Sequence, residues 1–199
     1  KDRFFPKREI NEAKRGELHV PADAFHIVTA AELNKNKNQK VIIEAINTLP
    51  QEDIYYSICG KGQGENFLKK LIKEKGLENR IRLLGFRTDM DEILQTADCF
   101  AFPSYREGLG VAAVEALLCN VALVASDNRG TREYAVQDKN AFICNADNVP
   151  AFAQAIETLY KDKELRAKMS QSGRASAMKF TVGEVEKTMK KVYYKALNA

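Results

Sequence analysis

Short apolar segments alternate with amphipathic segments along most of the chain. Six of the apolar segments have the length of β-strands and are apolar nearly throughout: residues 25–31, 54–60, 81–84, 98–103, 121–126 and 141–144. In the segments between and after them, apolar residues recur at every third or fourth position, which predicts helices. The predicted helices are residues 37–49, 65–75, 89–96, 111–119, 131–136, 149–160, 165–177 and 182–197.

Strands that are apolar on both faces are typical of a parallel sheet covered by helices on both sides. The pattern therefore predicts an α/β fold, a Rossmann-like doubly wound parallel sheet of about six strands with helices on both faces. Residues 25–180 form this predicted domain, after a lead-in or inter-domain linker at 1–24 and before a C-terminal helix at 181–199. Such sheets bind ligands at the carboxyl ends of their strands, near the switch in strand order, so the loops there are the candidate sites.

The loop after the fourth predicted strand has the composition of a phosphate-binding turn. Gly108 and Gly110 precede an alanine-rich predicted helix, so the backbone can approach a ligand and the free N–H groups of the helix can attract phosphate. Two carboxylates frame the turn, Glu107 before it and Glu115 inside the helix. Because a carboxylate repels phosphate, Glu115 is suited to a ribose diol and Glu107 to the hydroxyls of a second polar group. The plainer alternative is that both glutamates cap or solvate the helix.

Three other loops at the same predicted edge carry candidate ligand contacts. Lys37 follows the first strand and offers a positive charge to phosphate, although an exposed polar turn would have the same composition. The loop that begins at Gly60 has the spacing G-x-G-x-G, which departs from a dinucleotide fingerprint and favours a tight turn near the ligand. After the third strand, Phe86 or Arg87 is placed against a flat base, unless Thr88 or Asp89 only caps a short helix.

Composition and charge narrow the function classes further. The 31 basic and 27 acidic side chains leave a net charge of +4, too small to indicate nucleic acid as a partner. The lysine-rich C-terminal region is interpreted as a solvated helix face, with weak attraction to an anionic membrane surface as the alternative. Four separated cysteines and two histidines predict buried free thiols and no metal site. Without an apolar run of membrane-span length or a signal-peptide region, the expected location is the cytoplasm, or the inner face of the cell membrane.

A set of motifs in the second half of the chain resembles a known family. Phe102-Pro103-Ser104, then Glu107-Gly108-Leu109-Gly110 and Glu115-Ala116, are similar to the Glu-x7-Glu signature of retaining glycosyltransferases of family 4, the glycosyl transferases group 1. Asp127, Gly130 and Glu133 look like the segment that follows in that family, and the match runs from residue 25 to residue 160. The segment of residues 32–38 also resembles a subgroup that is common in bacterial capsule and exopolysaccharide synthesis.

The resemblance implies roles for individual residues. Glu107 would be the catalytic carboxylate that contacts the donor-sugar hydroxyls, and Glu115 would hold the ribose diol. The amides of Gly108, Leu109, Gly110 and Val111 would lie near the sugar and the phosphates. Lys37 matches the lysine that holds the diphosphate, whereas Glu32 occupies the position where the family often has an arginine. Arg87 falls near the nucleobase.

For the whole molecule the resemblance implies one half of a GT-B fold, in which two Rossmann-like domains enclose the active site. The expected activity is transfer of a sugar, with retention, from a nucleoside-diphosphate sugar (a UDP-sugar is favoured) to a glycan or lipid-linked acceptor, without a cofactor or metal. The acceptor-binding N-terminal domain is expected to be missing from this chain, so the isolated domain should bind nucleotide with little activity. The alternatives are half of a sugar-nucleotide 2-epimerase, which the shortage of histidines disfavours, and a non-catalytic nucleotide-binding module.

Overall fold

A computed structural model describes residues 3–6 and 12–198. Its six strands are β1 Phe25–Ala30, β2 Ile54–Cys59, β3 Ile81–Gly85, β4 Cys99–Phe102, β5 Ala122–Ser126 and β6 Ala141–Cys144. They form one sheet in the order β3-β2-β1-β4-β5-β6, and every pairing is parallel. The predicted doubly wound α/β fold is confirmed, and the strand order reverses between β1 and β4.

Helices connect the strands and cover both faces of the sheet. The α-helices are α1 Glu12–Glu17, α2 Gln39–Thr48, α3 Glu65–Glu74, α4 Met90–Leu94, α5 Val111–Leu118, α6 Val149–Lys161, α7 Lys163–Ala177 and α8 Val182–Leu197. Three single 3₁₀ turns accompany them at Lys35–Lys37, Thr131–Glu133 and Met178–Phe180.

The helix predicted over residues 131–136 is shorter in the structure. It is the 3₁₀ turn Thr131–Glu133, after which Tyr134 leaves the helical conformation with φ −132°. The amide of Val136 donates to the buried side-chain oxygen of Asn140 at 2.6 Å and not to a helical carbonyl. A side chain that competes for a backbone amide in this way ends a helix.

Apolar layers on both faces of the sheet explain why the strand sequences are hydrophobic at nearly every position. Adjacent residues of β1, Ile27 and Val28, are both fully buried, but they belong to hydrophobic clusters on opposite faces of the sheet. Side chains along a strand alternate between its faces, so both faces of β1 need apolar residues. Ile42 and Phe152, from α2 and α6, fill the first cluster, and Leu117 from α5 packs in the second.

The segment before β1 is packed into the domain from residue 12 onward. Leu18 and Val20 are buried in the second cluster, and Arg15 is only 3% exposed. The Arg15 guanidinium donates to four carbonyl oxygens, those of Pro21, Ala22, Ala24 and Thr96. It also lies 3.0 Å from a carboxylate oxygen of Asp98. One buried side chain thus ties α1 to the amino-terminal end of β1 and to the end of α4.

The cysteines are free thiols and all four are buried, as predicted. Burial raises the pKa of the Cys59 thiol to about 12, and the other three are packed in the same clusters of apolar side chains. Within residues 3–6 and 12–198, no helix is long and apolar enough to cross a lipid bilayer.

α8 projects from the domain without burying any of its side chains. Val185, Met189 and Val192 are 46%, 42% and 55% exposed, and their spacing places them along one side of the helix. The helix therefore presents an apolar row that nothing in the described part of the chain covers.

Removal of residues 182–199 should change the melting temperature by less than about 2 °C, because no buried contact is lost. A chain that ends before Lys163 is the matched comparison, since it also loses the buried Met169 and Ala177 of α7. We expect that shorter chain to lose its cooperative thermal transition. Differential scanning calorimetry measures both, and a drop of several degrees on removing α8 alone would contradict the description of α8 as an unpacked helix.

Candidate functional site

The crevice at the carboxyl end of the sheet is built where the strand order reverses, between β1 and β4. The loops that follow these strands are bound directly to one another. The amide of Tyr105 donates to the carbonyl oxygen of Asn36 at 2.8 Å, and the Asn36 side chain donates to the carbonyl oxygen of Arg106 at 3.0 Å. These two hydrogen bonds fix the relative position of residues that are about 70 positions apart in the sequence.

Lys37 and Glu107 meet across this crevice. The Lys37 ammonium lies 2.6 Å from a carboxylate oxygen of Glu107, and the two side chains are 20% and 10% exposed. The ammonium also lies 5.9 Å from the centre of the Phe102 ring. The structure thus brings together the cation predicted for a diphosphate and the carboxylate predicted for a sugar. Without a ligand, each neutralises the other.

The glycine turn before α5 has the geometry that an anion site requires. Gly110 adopts a left-handed conformation with φ 76°, directly before the first residue of α5. A Cβ atom at Gly110 would lie 2.7 Å from the Tyr134 hydroxyl and 2.9 Å from a ring carbon of Phe102. Gly108 and Val111 are exposed on either side of it. The first amides of a helix have no helical acceptors, so this exposed turn can donate hydrogen bonds to a ligand.

Glu115 lies inside α5 and is half-buried. Burial raises the pKa of its carboxyl, which the attraction of the Arg3 guanidinium opposes. Within the described residues, no donor makes a hydrogen bond to this carboxylate. A half-buried acceptor without a protein donor is suited to the hydroxyl groups of a ligand.

Comparisons with known proteins fit this arrangement. Residues 10–176 match the model of the family described as glycosyl transferases group 1. The chain belongs to this family. It is 34% identical over 195 residues to the putative glycosyltransferase EpsD of Bacillus subtilis (strain 168), covering 96% of this chain and 51% of that protein.

A second relative is also bacterial. It is the N-acetylgalactosamine-N,N'-diacetylbacillosaminyl-diphospho-undecaprenol 4-alpha-N-acetylgalactosaminyltransferase of Campylobacter jejuni, 31% identical over 77% of this chain and 42% of that protein. The chain spans about half the length of the curated relatives it matches.

Solved structures share the fold of this group 1 glycosyltransferase chain. Anabaena Alr3699/HepE in complex with UDP has a TM-score of 0.90 and 25% identity, covering 97% of this chain and 54% of that chain. The C-terminal domain of the group 1 family protein LpcC from Francisella tularensis has a TM-score of 0.80 and 23% identity. It covers 90% of this chain and 96% of that chain. The fold is therefore that of the C-terminal half of a GT-B glycosyltransferase.

In this glycosyltransferase chain, the guanidinium of Arg87 is occupied by acidic neighbours. It donates two hydrogen bonds to Asp89, at 2.9 and 2.6 Å, and a third to Glu17 of α1. The bonds to Asp89, and then the one to Glu17, raise the pKa of Arg87 above its ordinary value. The neighbouring Phe86 is 70% exposed and offers the open flat surface in this loop.

The glycines of the loop after β2 are explained by backbone packing. Gly60 has φ 143°, and a Cβ there would lie 1.9 Å from the carbonyl oxygen of Ala31. A Cβ at Gly62 would lie 2.4 Å from the carbonyl oxygen of Leu33, which also accepts the amide of Gly64 at 2.7 Å. These residues hold the loop after β1 in place, and the position of Gly60 next to the donor stays a prediction.

The loop after β5 packs against the backbone and Cβ of Glu107, a role that the sequence pattern did not indicate. A Cβ at Gly130 would lie 2.8 Å from the carbonyl oxygen and 2.9 Å from the Cβ of Glu107. Asn128 donates to the carbonyl oxygen of Ser104 at 3.0 Å and accepts the amide of Thr131 at 3.0 Å. Tyr134 is 2% exposed, and burial raises its pKa to about 12. The spacing of residues in the sequence does not identify Asn128 or Tyr134, because both act through contacts with the loop after β4.

Proposed function

We propose that this chain is the donor-binding half of a retaining, family 4 glycosyltransferase. It takes a sugar from a UDP-sugar and passes it to a glycan or lipid-linked acceptor in bacterial surface polysaccharide synthesis. The observation that carries the proposal is the meeting of Lys37 and Glu107 at 2.6 Å, beside the exposed turn at the start of α5. The names of the bacterial relatives and the UDP bound to Alr3699/HepE support the substrate class.

The donor is proposed to lie along the carboxyl edge of the sheet. Glu115 holds the ribose, and it lies about 6 Å along the helix axis from Val111 at the helix start. The diphosphate lies at the amides of residues 108–111. It replaces Glu107 as the ion-pair partner of Lys37. Glu107 then turns to the hydroxyls of the donor sugar, and Phe86 faces the base.

The chemistry proposed for these groups is stabilisation of a leaving diphosphate. When the bond between the sugar and the diphosphate breaks, negative charge builds up on the phosphate oxygen. Preorganised amides and a cation in a partly desolvated crevice stabilise such charge without a reorganisation cost at the moment of reaction. Lys37 and the α5 amides fill this role in the proposal. The acceptor hydroxyl attacks from the face that the leaving group vacates, and its proton passes to the departing phosphate oxygen.

The buried histidine of β1 does not favour the epimerase alternative. His26 is fully buried in β1, where its ring nitrogens lie 3.0 Å from the Thr96 hydroxyl and 2.8 Å from the Ser57 hydroxyl. Burial lowers its pKa to about 3. It stands at the second residue of β1, toward the end of the sheet opposite the crevice. A histidine that is neutral and enclosed there has no route to a substrate.

Calorimetric titration of the chain with UDP, GDP and UDP-glucose tests the proposal. We expect binding of UDP, and a loss of at least about tenfold in UDP affinity for Glu115→Ala, because a ribose hydroxyl loses its acceptor. Glu78→Ala is the matched control, since Glu78 is an exposed glutamate on the α3–β3 loop. A folded chain that binds none of the three ligands would overturn the proposed function.

Substitution of Glu107 by glutamine should change the affinities for UDP and UDP-glucose by different amounts. Without the carboxylate, Lys37 has no ion pair to give up, so UDP affinity should rise about two- to fivefold. UDP-glucose should gain less or lose affinity, because its sugar hydroxyls lose a charged acceptor. Lys37→Met is the comparison and should weaken both ligands. Equal changes for UDP and UDP-glucose in Glu107→Gln would contradict a contact between Glu107 and the sugar.

The exposed apolar row on α8 is suited to packing against the N-terminal half of a GT-B enzyme. In the proposed full-length enzyme, Val185, Met189 and Val192 pack against the N-terminal domain, which would bury a row that is uncovered in this chain. The acceptor site is then completed between the two halves, and the chain alone is expected to bind nucleotide with little transferase activity.

A further inference from the structure

Buried hydroxyl groups without a hydrogen-bond partner are found together around the loop that carries Glu107. Among residues 3–6 and 12–198 they belong to Ser104, Thr131 and Tyr134, which are 0%, 0% and 2% exposed. A buried hydroxyl without an acceptor costs free energy, so such groups are rare in native proteins. Their presence beside Glu107 is explained if an acceptor reaches one of them in another state of the molecule.

The Tyr134 hydroxyl is held inside the turn that joins Glu107 to α5. A Cβ at Gly110 would meet this hydroxyl first, at 2.7 Å. The Tyr134 ring makes an edge contact with Phe180, with ring centroids 6.5 Å apart. Because the hydroxyl is enclosed, an atom of a bound nucleotide sugar cannot reach it unless the turn opens. An acceptor for this hydroxyl must therefore come from the protein.

The neighbouring Thr131 hydroxyl does not satisfy Tyr134. Burial raises the pKa of Tyr134, and the Thr131 hydroxyl opposes this rise as a close neighbour, but no hydrogen bond joins the two groups. A bond between them would use only one of their two hydroxyl hydrogens. One hydroxyl donor thus stays available in the chain without a ligand.

Glu107 is a charged acceptor beside this donor. Its negative charge adds to the rise in the pKa of Tyr134. A Cβ at Gly130, the residue before Thr131, would lie 2.9 Å from the Cβ of Glu107. The Glu107 side chain is only 10% exposed, and one of its carboxylate oxygens lies 2.6 Å from the Lys37 ammonium. When that ion pair breaks, the carboxylate needs a new donor in largely buried surroundings.

We propose that Tyr134 is a positioning residue that takes over the carboxylate of Glu107 when the diphosphate of the donor replaces it at Lys37. One carboxylate oxygen then accepts the Tyr134 hydroxyl, and the other accepts a hydroxyl of the donor sugar. The inference rests on the proposed function, because a bound diphosphate is what releases Glu107 from Lys37. Tyr134 does not touch the donor and acts through Glu107 alone.

Tyr134→Phe removes the hydroxyl and keeps the ring, so stability and UDP affinity should not fall together. Without ligand, the variant should melt at the same temperature or up to about 2 °C higher, because a buried hydroxyl without an acceptor is removed. Tyr56→Phe is the matched control, since the Tyr56 hydroxyl is equally buried but bonded to the Thr29 hydroxyl at 2.7 Å. This control should melt about 2–4 °C lower and bind UDP unchanged.

Differential scanning calorimetry measures these melting temperatures. A decrease in Tyr134→Phe as large as in Tyr56→Phe would show that the Tyr134 hydroxyl is already satisfied without a donor. That result would overturn the inference.

Calorimetric titration with UDP tests the link to Glu107. UDP affinity should fall about five- to tenfold in Tyr134→Phe, because the released carboxylate loses its charge-assisted hydrogen bond. In a Glu107→Ala background the same substitution should have no effect on UDP affinity, because no carboxylate is released there. The double-mutant cycle of the two substitutions therefore assigns the effect to the pair. An equal loss with and without Glu107, or no loss in either, would refute the positioning role.

The two proposals fail separately in these measurements. A folded, unsubstituted chain that binds no UDP would refute the proposed function. Normal UDP binding by the unsubstituted chain, with unchanged affinity in Tyr134→Phe, would refute the role of Tyr134 alone.

Discussion

Replacement of Gly110 by alanine is expected to destabilise the chain by about 3 kcal/mol and to weaken UDP binding by more than about tenfold. Gly110 has φ 76°, a conformation that costs a residue with a Cβ about 1–2 kcal/mol. The added carbon would also overlap the Tyr134 hydroxyl and the Phe102 ring, at 2.7 and 2.9 Å. Since both neighbours are buried, relief must come from movement of the turn that leads into α5. The turn is also the proposed phosphate site, so stability and affinity should fall together.

Gly76→Ala is the matched control for this substitution. Gly76 has φ 65°, close to that of Gly110, but a Cβ there would have no atom within 4 Å. Its substitution should therefore cost only the conformational part, about 1 kcal/mol, and leave UDP affinity unchanged. Urea denaturation and calorimetric titration of both variants separate the two contributions. If the two alanine variants were equally stable, the overlap with Tyr134 and Phe102 would have no energetic consequence.

The features that depend on periodicity were predictable from the sequence. Ile27 and Val28 show why. Adjacent residues that are both buried occur in strands covered on two faces, and this pattern is found again in β2, β4 and β5. The end of the helix after β5 was not predictable, because it depends on the Asn140 side chain, which takes the amide of Val136. A competing hydrogen bond from a neighbouring segment leaves no mark in the spacing of apolar residues.

The candidate site was predictable in its parts but not in its contacts. The glycines of the α5 turn and the two flanking glutamates stand out by composition and by resemblance to a family. The pairing of Lys37 with Glu107 depends on the approach of two loops that Asn36 binds together.

The contribution of Arg15 to the stability of the domain was also not predictable from the sequence. In the sequence, Arg15 lies in the segment interpreted as a lead-in or inter-domain linker, whereas in the structure its guanidinium is enclosed. A charged side chain is buried at acceptable cost when its donors are satisfied. Carbonyl oxygens from the α1–β1 loop and from the end of α4 provide the acceptors, and their convergence depends on the complete fold.

Arg15→Met is expected to lower the free energy of unfolding by about 3–5 kcal/mol. Methionine fills much of the same volume, so the loss comes mainly from the carbonyl oxygens that lose the guanidinium as a donor, although that of Pro21 keeps the amide of Ala24 at 3.2 Å. Asp98 keeps two partners, because the amide of His26 donates to one carboxylate oxygen at 3.0 Å and Arg166 lies 3.2 Å from the other. The cost should therefore come chiefly from the four carbonyl groups. Urea denaturation with an unchanged m value measures it.

Arg80→Met is the comparison that isolates this network, since Arg80 donates one hydrogen bond, to the carbonyl oxygen of Gln51 at 2.8 Å. We expect a loss of about 1 kcal/mol there. The loss of stability in Arg15→Lys should lie between those of the two methionine variants. Its ammonium has three donors close together and cannot reach every carbonyl oxygen that the wider guanidinium reaches. A loss in Arg15→Met no larger than in Arg80→Met would mean that water replaces the guanidinium, and that the segment before β1 contributes little to the stability of the domain.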